Sequence, residues 1–452
     1  MLIKIAVLCI PLLFVGCNQK RVEVPKNLET TAKVHIPKEY TDSFSSEKVQ
    51  NSWLKTFGDS ELESLVKEAL KNNPNLKVAS QSVDQAKAQT KLAASSMNPS
   101  LNYAGQVSQT TSGTNLAVVG VGASWEPDIW GRLSAQVQAA TASQKAVEAN
   151  YAGAKQLLVS DVTKAWFVLI ESTKQEILSK NIVQSYTKTY ESVKIKYEVG
   201  AVLRKDLVQS QAELDSAKDA YIQAQNAKKS SARALEILLG RYPAGTFTTT
   251  STLVTLSPFP SIGIPSSLLT RRPDLVSKEE ALRAAFFTSK DAKLARLPSF
   301  TLSLNSLTSS ANSFLTALAA GVSGPIYEGG AISAQIDLAN ATQKKALLSY
   351  QSSILDAFND VETNLGNENY LVEREKVLKE AVNNYKMALR DTQIQYDIGK
   401  VDITLLQVQQ AKYASAQRTH LHIKSLLLQN RVNIYLSLGG GFDDTNAIGA
   451  NK

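Results

Sequence analysis

Tyr197-Glu198-Val199-Gly200 returns 199 residues later as Tyr396-Asp397-Ile398-Gly399. The same offset carries Leu239-Gly240 onto Leu438-Gly439 and Asn73-Pro74-Asn75-Leu76 onto Arg272-Pro273-Asp274-Leu275. It also carries Pro99-Ser100-Leu101 onto Pro298-Ser299-Phe300. A period this long exceeds any solenoid repeat, so each copy is one half of a duplicated body. A duplication of this kind fixes the architecture before any single element is assigned.

Working outward from the repeated tetrapeptide, each copy shows a long stretch with no proline. Residues 131–197 contain Gly153 as their one internal glycine, and residues 331–396 contain Gly366. A continuous helix over either stretch would run about 100 Å at 1.5 Å per residue. Val183, Tyr186, Tyr190, Val193 and Tyr197 recur at spacings of three and four in the first stretch. Leu378, Val382, Tyr385, Leu389 and Tyr396 do so in the second. A stripe near 3.5 residues implies coiled-coil packing against neighbouring helices. After each Tyr-x-x-Gly turn a return helix is expected, over 206–239 and 402–438. Shorter helices are expected earlier, at about 60–94 and 267–296. Pro127 and Pro325 mark the joints that lead into the long helices, where a fixed φ suits a first turn.

Between short and long helix each copy carries a window without Asp, Glu, Lys or Arg: Leu92 to Trp125 and Leu297 to Tyr327. Both are too rich in Ser, Thr, Asn and Gly for a membrane helix. Leu101, Tyr103 and Val107 alternate with Asn102, Gln106 and Ser108. Phe300, Leu302 and Leu304 alternate with Thr301, Ser303 and Asn305. Period-two patterning is the strand signal. A run of small residues splits each window, so each predicts a β-hairpin, at 99–126 and 298–327. One apolar face, one polar face and no charge suit a transmembrane barrel. A soluble hairpin packed on a core is the competing reading, but soluble edge strands usually carry protective charges. Four strands cannot close a barrel, and lipid forbids an open edge. Two chains would give eight strands and a filled interior; three would give twelve and room for a channel.

The N-terminus reads as an address. Lys4 is followed by an apolar run from Ile5 to Val15, too short to span about 30 Å of hydrocarbon as a helix. Leu13-Phe14-Val15-Gly16-Cys17 resembles a bacterial lipoprotein signal, which implies that residues 1–16 are removed and that Cys17 is lipidated. Asn18 then permits sorting to the outer membrane. Several acyl chains anchor durably, at about 0.8 kcal/mol per buried CH₂. Cys9 and Cys17 are the only cysteines in the 452 residues, so no disulfide framework exists.

The remaining numbers exclude classes of function. A hydrophobic content of 43% is enough for a core. The net charge of +8 comes from Lys and Arg interleaved with Asp and Glu, which reads as a solvated surface and not a nucleic-acid footprint. Gly120-x-Gly122 falls inside an expected strand and lacks the third glycine of a dinucleotide fingerprint. No nucleophile elbow or phosphate loop occurs. His420 and His422 are two apart, on different helix faces, and are read as surface residues; His35 stands alone. We therefore expect no enzyme, no cofactor and no metal site, with energy supplied by a partner.

Taken in order, these features resemble the TolC-like outer-membrane efflux factors, their lipid-anchored branch best. The resemblance is carried by Asp128-Ile129-Trp130-Gly131-Arg132, Arg271-Arg272-Pro273-Asp274-Leu275, and Pro325-Ile326-Tyr327-Glu328-Gly329-Gly330. It is carried too by the two Tyr-x-x-Gly turns, with Asp206-Leu207 and Gln209-x-Gln211. It implies a mainly α chain with a small β part, internally duplicated. The long helices form a coiled-coil α-helical barrel, and four strands per chain enter a trimeric twelve-stranded β-barrel. The implied partners are a homotrimer of the chain, a periplasmic adaptor, an inner-membrane efflux transporter and outer-membrane lipid. On this layout residues 17–58 are an anchor and equatorial segment. Residues 59–239 and 266–438 are the repeats, and 240–265 and 439–452 are equatorial. Tyr197, Gly200, Tyr396 and Gly399 then lie at the periplasmic tip. Asp402, Asp397 and Gln407 are candidates for its gate, although Leu405 to Gln409 stand where the family often places an Asp. Asp402 serves equally as a plain helix cap. Pro127, Trp130, Gly131, Pro325, Gly329 and Gly330 form the strand-to-helix joints. The implied function is a passive duct for drugs or metal ions. The alternative is a non-conducting coiled-coil scaffold lipoprotein, which would need no barrel.

Overall fold

The computed structural model describes residues 36, 40–41, 52–109, 115–256, 263, 265–309 and 314–442. Cys17, His35 and the signal segment lie outside the described residues, as does most of the expected anchor segment and of 443–452. After a 3₁₀ turn at Trp53–Phe57 come α1 (Ser60–Asn72), α2 (Pro74–Ser95), β1 (Ser100–Gln109) and β2 (Asn115–Trp125). The first copy ends with α3 (Arg132–Glu198) and α4 (Arg204–Leu238). The second copy runs through α5 (Leu268–Arg271), α6 (Pro273–Leu294), β3 (Ser299–Ser309) and β4 (Phe314–Ser323). It ends with α7 (Ala331–Asp397) and α8 (Ile403–Ser437). Both ends of α6, α7 and α8 lie 199 residues beyond those of α2, α3 and α4. The chain is thus mainly helical with one four-stranded sheet.

Two departures from the sequence reading have local causes. In place of one short helix before each hairpin there are two, broken at Asn73-Pro74 and at Arg272-Pro273. The residue before a proline is pushed out of the α region. Asn73 sits at ψ 122°, ends α1, and caps α2 by accepting the Leu76 N–H at 3.1 Å. The first return helix begins at Arg204 and not at Asp206, because Asp206 is its third residue. The Asp206 carboxylate reaches back to accept the Leu203 N–H at 3.1 Å, half of a capping box.

The chain divides into two compact units. One comprises Pro99–Ala139 and Leu282–Gln351, and so holds the sheet and the helix segments next to it. Its sheet is antiparallel throughout in the order β1-β2-β3-β4, so the two hairpins join through β2 and β3, with Val121 opposite Ser306. Gln136 of α3 donates to Asp291 of α6 at 3.1 Å, and Ser289 of α6 donates to Asn340 of α7 at 2.9 Å.

The other unit holds the larger core. Trp53 stacks on Tyr435 with centroids 5.4 Å apart, and Phe57 meets Phe167 edge-on at 5.2 Å. Trp166, Phe167, Leu169, Ile170, Leu235 and Leu239 are fully buried around them. Asp59 caps α1 through the Leu62 N–H and accepts the Trp166 indole N–H at 2.7 Å, which fixes the helix start to the core. Ser52 N–H donates to the Gly441 carbonyl at 2.7 Å, which ties the segment before the 3₁₀ turn to the segment after α8. Gly240 and Gly439 close the copies with φ of +73° and +64°. A Cβ on Gly240 would lie 2.9 Å from the Asn72 carbonyl oxygen, and one on Gly439 2.9 Å from the Arg271 carbonyl carbon. Glycine is required there both for the turn and for the close approach.

Candidate functional site

The ladder registers sort the sheet into two faces, because directly opposed residues point the same way. Leu101 faces Ala123, Tyr103 faces Val121, and Val121 faces Ser306. Ala123 faces Leu304, and Leu304 faces Leu318. This face, completed by Val107, Val119, Phe314 and Val322, is apolar and yet exposed: Tyr103 is 88% and Leu318 80% accessible. The opposite face pairs Ser100 with Ser124, Asn102 with Gly122, Gly122 with Asn305, and Ser299 with Ser323. Gln106, Thr301 and Ser303 belong to it too, as do Val118, Leu307 and Leu315 towards the far end of the strands. Gly122 leaves room for the Asn305 side chain, whose Oδ1 would lie 2.6 Å from an added Cβ. Both faces are bare, and β1 and β4 each have one unpaired edge among the described residues. Among the described residues no helix is long and apolar enough to cross a membrane.

The strand-to-helix joints differ between the copies. In the first, Trp130 turns inward, its indole N–H donating to the Pro298 carbonyl at 2.6 Å, and its ring lies 6.3 Å from that of Phe300. Gly131 takes φ +76° after Pro127. Asp128 accepts the N–H groups of Leu133 and Ser134 at 2.9 and 2.8 Å. Burial raises its carboxyl pKa, but the Ser134 hydroxyl, these amides and Arg132 carry it below the usual value. Arg132 also pairs with Glu126 at 2.9 Å. In the second copy Gly329 and Gly330 take φ +60° and +90°. There Ile326 and Tyr327, just after Pro325, are almost wholly exposed.

At the other ends of the long helices the two turns are built alike. Gly200 and Gly399 both sit at φ +76°. Ala201 N–H donates to the Lys196 carbonyl and Lys400 N–H to the Gln395 carbonyl, both at 2.8 Å, the long bond of a Schellman ending. Their tyrosines are used differently. Tyr396 is buried with Val193, Ile403 and Leu406, and Lys196 lies 3.8 Å over its ring. Tyr197 is 39% exposed. Of the stripe residues, Tyr186 and Val193 are buried, and Val183, Tyr190 and Leu389 pack beside them.

The three gate candidates separate. Asp402 is the N-cap of α8, accepting the Leu405 N–H at 3.0 Å. Asp397 is exposed and accepts from Gln393 at 2.9 Å. Gln407 is buried inside its own chain, with both amide atoms unpartnered among the described residues. One turn further along, Gln410 donates to Thr189 at 2.9 Å and lines a cavity of about 260 Å³ with Ile182, Ser185, Tyr186 and Leu389.

Two buried charge sites escaped the sequence reading. Glu368 of α7 holds the Arg431 guanidinium of α8 and accepts from Asn430 at 2.9 Å. Glu236 of α4 accepts three consecutive N–H groups, from Gly245, Thr246 and Phe247, at 2.7 to 3.1 Å. The first was visible as a break in the duplication, since Leu169 and Ala232 stand at the matching positions. The second had no local signal. Both histidines have a carboxylate neighbour: His420, partly buried, lies 2.8 Å from Glu375, and His422, exposed as expected, lies 2.9 Å from Glu171.

A duplicated chain with a bare two-faced sheet and paired long helices defines a membrane-inserted class, and the comparisons with known proteins agree. The family described as "Outer membrane efflux protein" matches residues 65–241 and 264–440, two spans that are again 199 residues apart. The chain belongs to the outer membrane efflux protein family, and its place is the outer membrane. It is similar to the Cation efflux system protein CusC of Escherichia coli K12, at 26% identity over 97% of this chain and 99% of that one. Similarity extends to the Pyoverdine export outer membrane protein OpmQ of Pseudomonas aeruginosa, at 27% over 86% and 87%. It reaches the Probable outer membrane lipoprotein SilC of Salmonella typhimurium, at 26% over 86% and 88%. Among solved structures it resembles the Campylobacter jejuni CmeC outer membrane channel, with TM-score 0.83, 23% identity, and 96% and 95% covered. The open state of the Neisseria gonorrhoeae MtrE outer membrane channel gives 0.81 at 26% identity, with 94% and 98% covered.

Proposed function

We propose that this chain is the outer-membrane channel of a tripartite efflux pump, a homotrimer that passively passes small molecules, drugs or metal ions. The observation that carries the reading is the sheet: four strands, an apolar face, a polar face, and an unpaired edge on β1 and β4. In lipid such edges must be paired, and β1 of one copy against β4 of the next closes them. Three copies give twelve strands, wide enough for a lumen lined by the Asn102 face. The long helices continue the duct into the periplasm as a helical barrel. A periplasmic adaptor and an inner-membrane transporter are its partners, and the transporter supplies the energy. The names of the relatives, which include a cation efflux protein and a pyoverdine export protein, support export without fixing the solute.

Within this reading Cys17 is the lipidated first residue of the mature chain, in keeping with the name of the SilC lipoprotein. The turns at Tyr197–Gly200 and Tyr396–Gly399 form the periplasmic tip. Asp397 and Asp402, both exposed, are better placed to act at its constriction than Gln407. The joint residues set the angle at which strands pass into helices.

The test is the mass of the detergent-extracted protein by light scattering, with the detergent contribution subtracted. Three chains are expected, together with raised drug or metal susceptibility in a deletion strain. A stable monomer in mild detergent would leave both strand edges open and favour the scaffold lipoprotein.

A further inference from the structure

We propose that the strand-borne wall of this duct has no charge preference: its polar face carries hydroxyls and amides among small and aliphatic side chains, with no ionisable group, and passes anionic, cationic and neutral solutes alike. The inference rests on the duct reading above and adds the class of solute that the wall admits.

Three observations carry it. The first is the duplicated hydroxyl pairing at the helix-proximal end of the sheet. Ser100 and Ser124 approach to 3.1 Å, and Ser299 and Ser323, their counterparts at the 199 offset, to 3.0 Å. All four lie on the polar face by register. In a trimer they form a collar of twelve hydroxyls, each able to donate and to accept. A collar of carboxylates would favour cations, and one of guanidinium groups anions; hydroxyls hydrate both.

The second is composition. Above the collar the polar face continues through Asn102, Gln106 and Asn305, again both donors and acceptors, interspersed with Val118, Leu307, Leu315 and Ala319, none of them charged. Neither the strands nor the turns between them contain Asp, Glu, Lys, Arg or His. Nor do they contain Cys or Met, so a soft metal ion finds no thiolate, thioether or imidazole ligand along this wall.

The third is distance. Gln106 stands opposite Val118, eight residues along β2 from Glu126, the nearest charge on that strand. At about 3.3 Å per residue that is roughly 26 Å, or about three Debye lengths at physiological salt. Charges at the strand ends are therefore screened from the middle of the wall. If the solute is a cation, as the name of one relative suggests, the preference for it arises elsewhere in the pump.

The experiment uses the full-length chain in whole cells carrying Gln106→Cys, with the unsubstituted protein correcting for Cys17. Modification rates are measured with a cationic (trimethylammonium-ethyl) and an anionic (sulfonatoethyl) methanethiosulfonate, each divided by its rate with a small free thiol. We expect Gln106→Cys to react with both, at normalised rates within about threefold of one another. Adding Val118→Asp, directly opposite on the same face, should favour the cationic reagent severalfold and so demonstrate sensitivity. A ratio beyond about tenfold for Gln106→Cys alone, equivalent to about 1.4 kcal/mol, overturns the inference while leaving the duct standing. Val107→Cys, on the apolar face, should resist both reagents. If Val107→Cys reacts as fast as Gln106→Cys, or if neither reacts, the assignment of the faces fails and the duct reading falls with it.

Discussion

Asp402 is a helix cap that the proposed function also places at the tip of a tunnel. Its Oδ1 accepts the Leu405 N–H, so it satisfies one of the four donors that the first turn of α8 leaves open. Asp402→Asn keeps that acceptor and removes the charge, whereas Asp402→Ala removes both and should cost the turn about 1 kcal/mol. We expect pump-independent entry of a large glycopeptide antibiotic to rise with Asp402→Ala and to stay unchanged with Asp402→Asn. Equal leak from both would make the charge itself the gate. Glu236 is a second carboxylate whose partners define its role. Burial raises its pKa, but three backbone amides and Arg233 pull it down, and the net displacement is downward. A depressed folded value stabilises the fold above the unfolded pKa, about 4.3, and that contribution disappears as pH falls through the folded value. Glu236→Gln should therefore lower the stability at pH 7 by about 1–3 kcal/mol of lost charged hydrogen bonding, read as a fall in melting temperature. Wild type and variant should converge near pH 3. A gap that persists at pH 3 would assign the effect to packing. The cap role of Asp402 was legible in the sequence, and the role of Glu236 was not. The amides that hold Glu236 belong to an irregular segment without periodicity.

At the scale of elements the duplication is the instructive feature. The long helices, the return helices and the hairpins were legible because each follows from a local rule: a missing proline, a 3.5-residue stripe, strict alternation. What those rules do not encode is the partner. That β2 pairs with β3 joins segments almost 200 residues apart, and no periodicity within either strand specifies it. The two broken short helices show a local rule left unapplied, since each contains a proline that could have been used to place the break. Differences between the copies carry the rest. Where the first copy packs Leu169 and Ala232 with apolar neighbours, the second buries Glu368 against Arg431, at 2% and 6% side-chain exposure. Removing one partner of a buried pair strands the other charge, whereas replacing both by apolar groups is often neutral. Glu368→Ala should destabilise by about 3–5 kcal/mol. The double substitution Glu368→Leu with Arg431→Ala, which recreates the first copy, should recover most of that loss. Denaturant unfolding of the three variants measures the coupling, and a double variant no better than Glu368→Ala would show that the second copy cannot accept the packing of the first.

For the whole molecule the decisive property is that its sheet is finished neither by another strand nor by a core among the described residues. Large apolar side chains such as Tyr103, Phe314 and Leu318 stand exposed, while the polar face opposite is just as bare. A soluble protein would cover one of the two. On the proposed channel reading lipid covers one side and water the other, which accounts for the absence of charge from the strands and its abundance in the helices. The argument separates two neighbours on β4. Leu318 pairs with Leu304 on the apolar face, and Ala319 with Ser303 on the polar face. An arginine on the lipid face near mid-membrane costs about 2–4 kcal/mol per copy, and in a trimer it is imposed three times. Leu318→Arg should therefore sharply reduce the trimer recovered from outer-membrane fractions, whereas Ala319→Arg, facing water, should leave the yield near that of the unsubstituted chain. If the two yields were reversed, the Asn102 face would be the one toward lipid. Equal yields would mean that neither face meets hydrocarbon, and the apolar residues of the sheet would then have to be covered by protein.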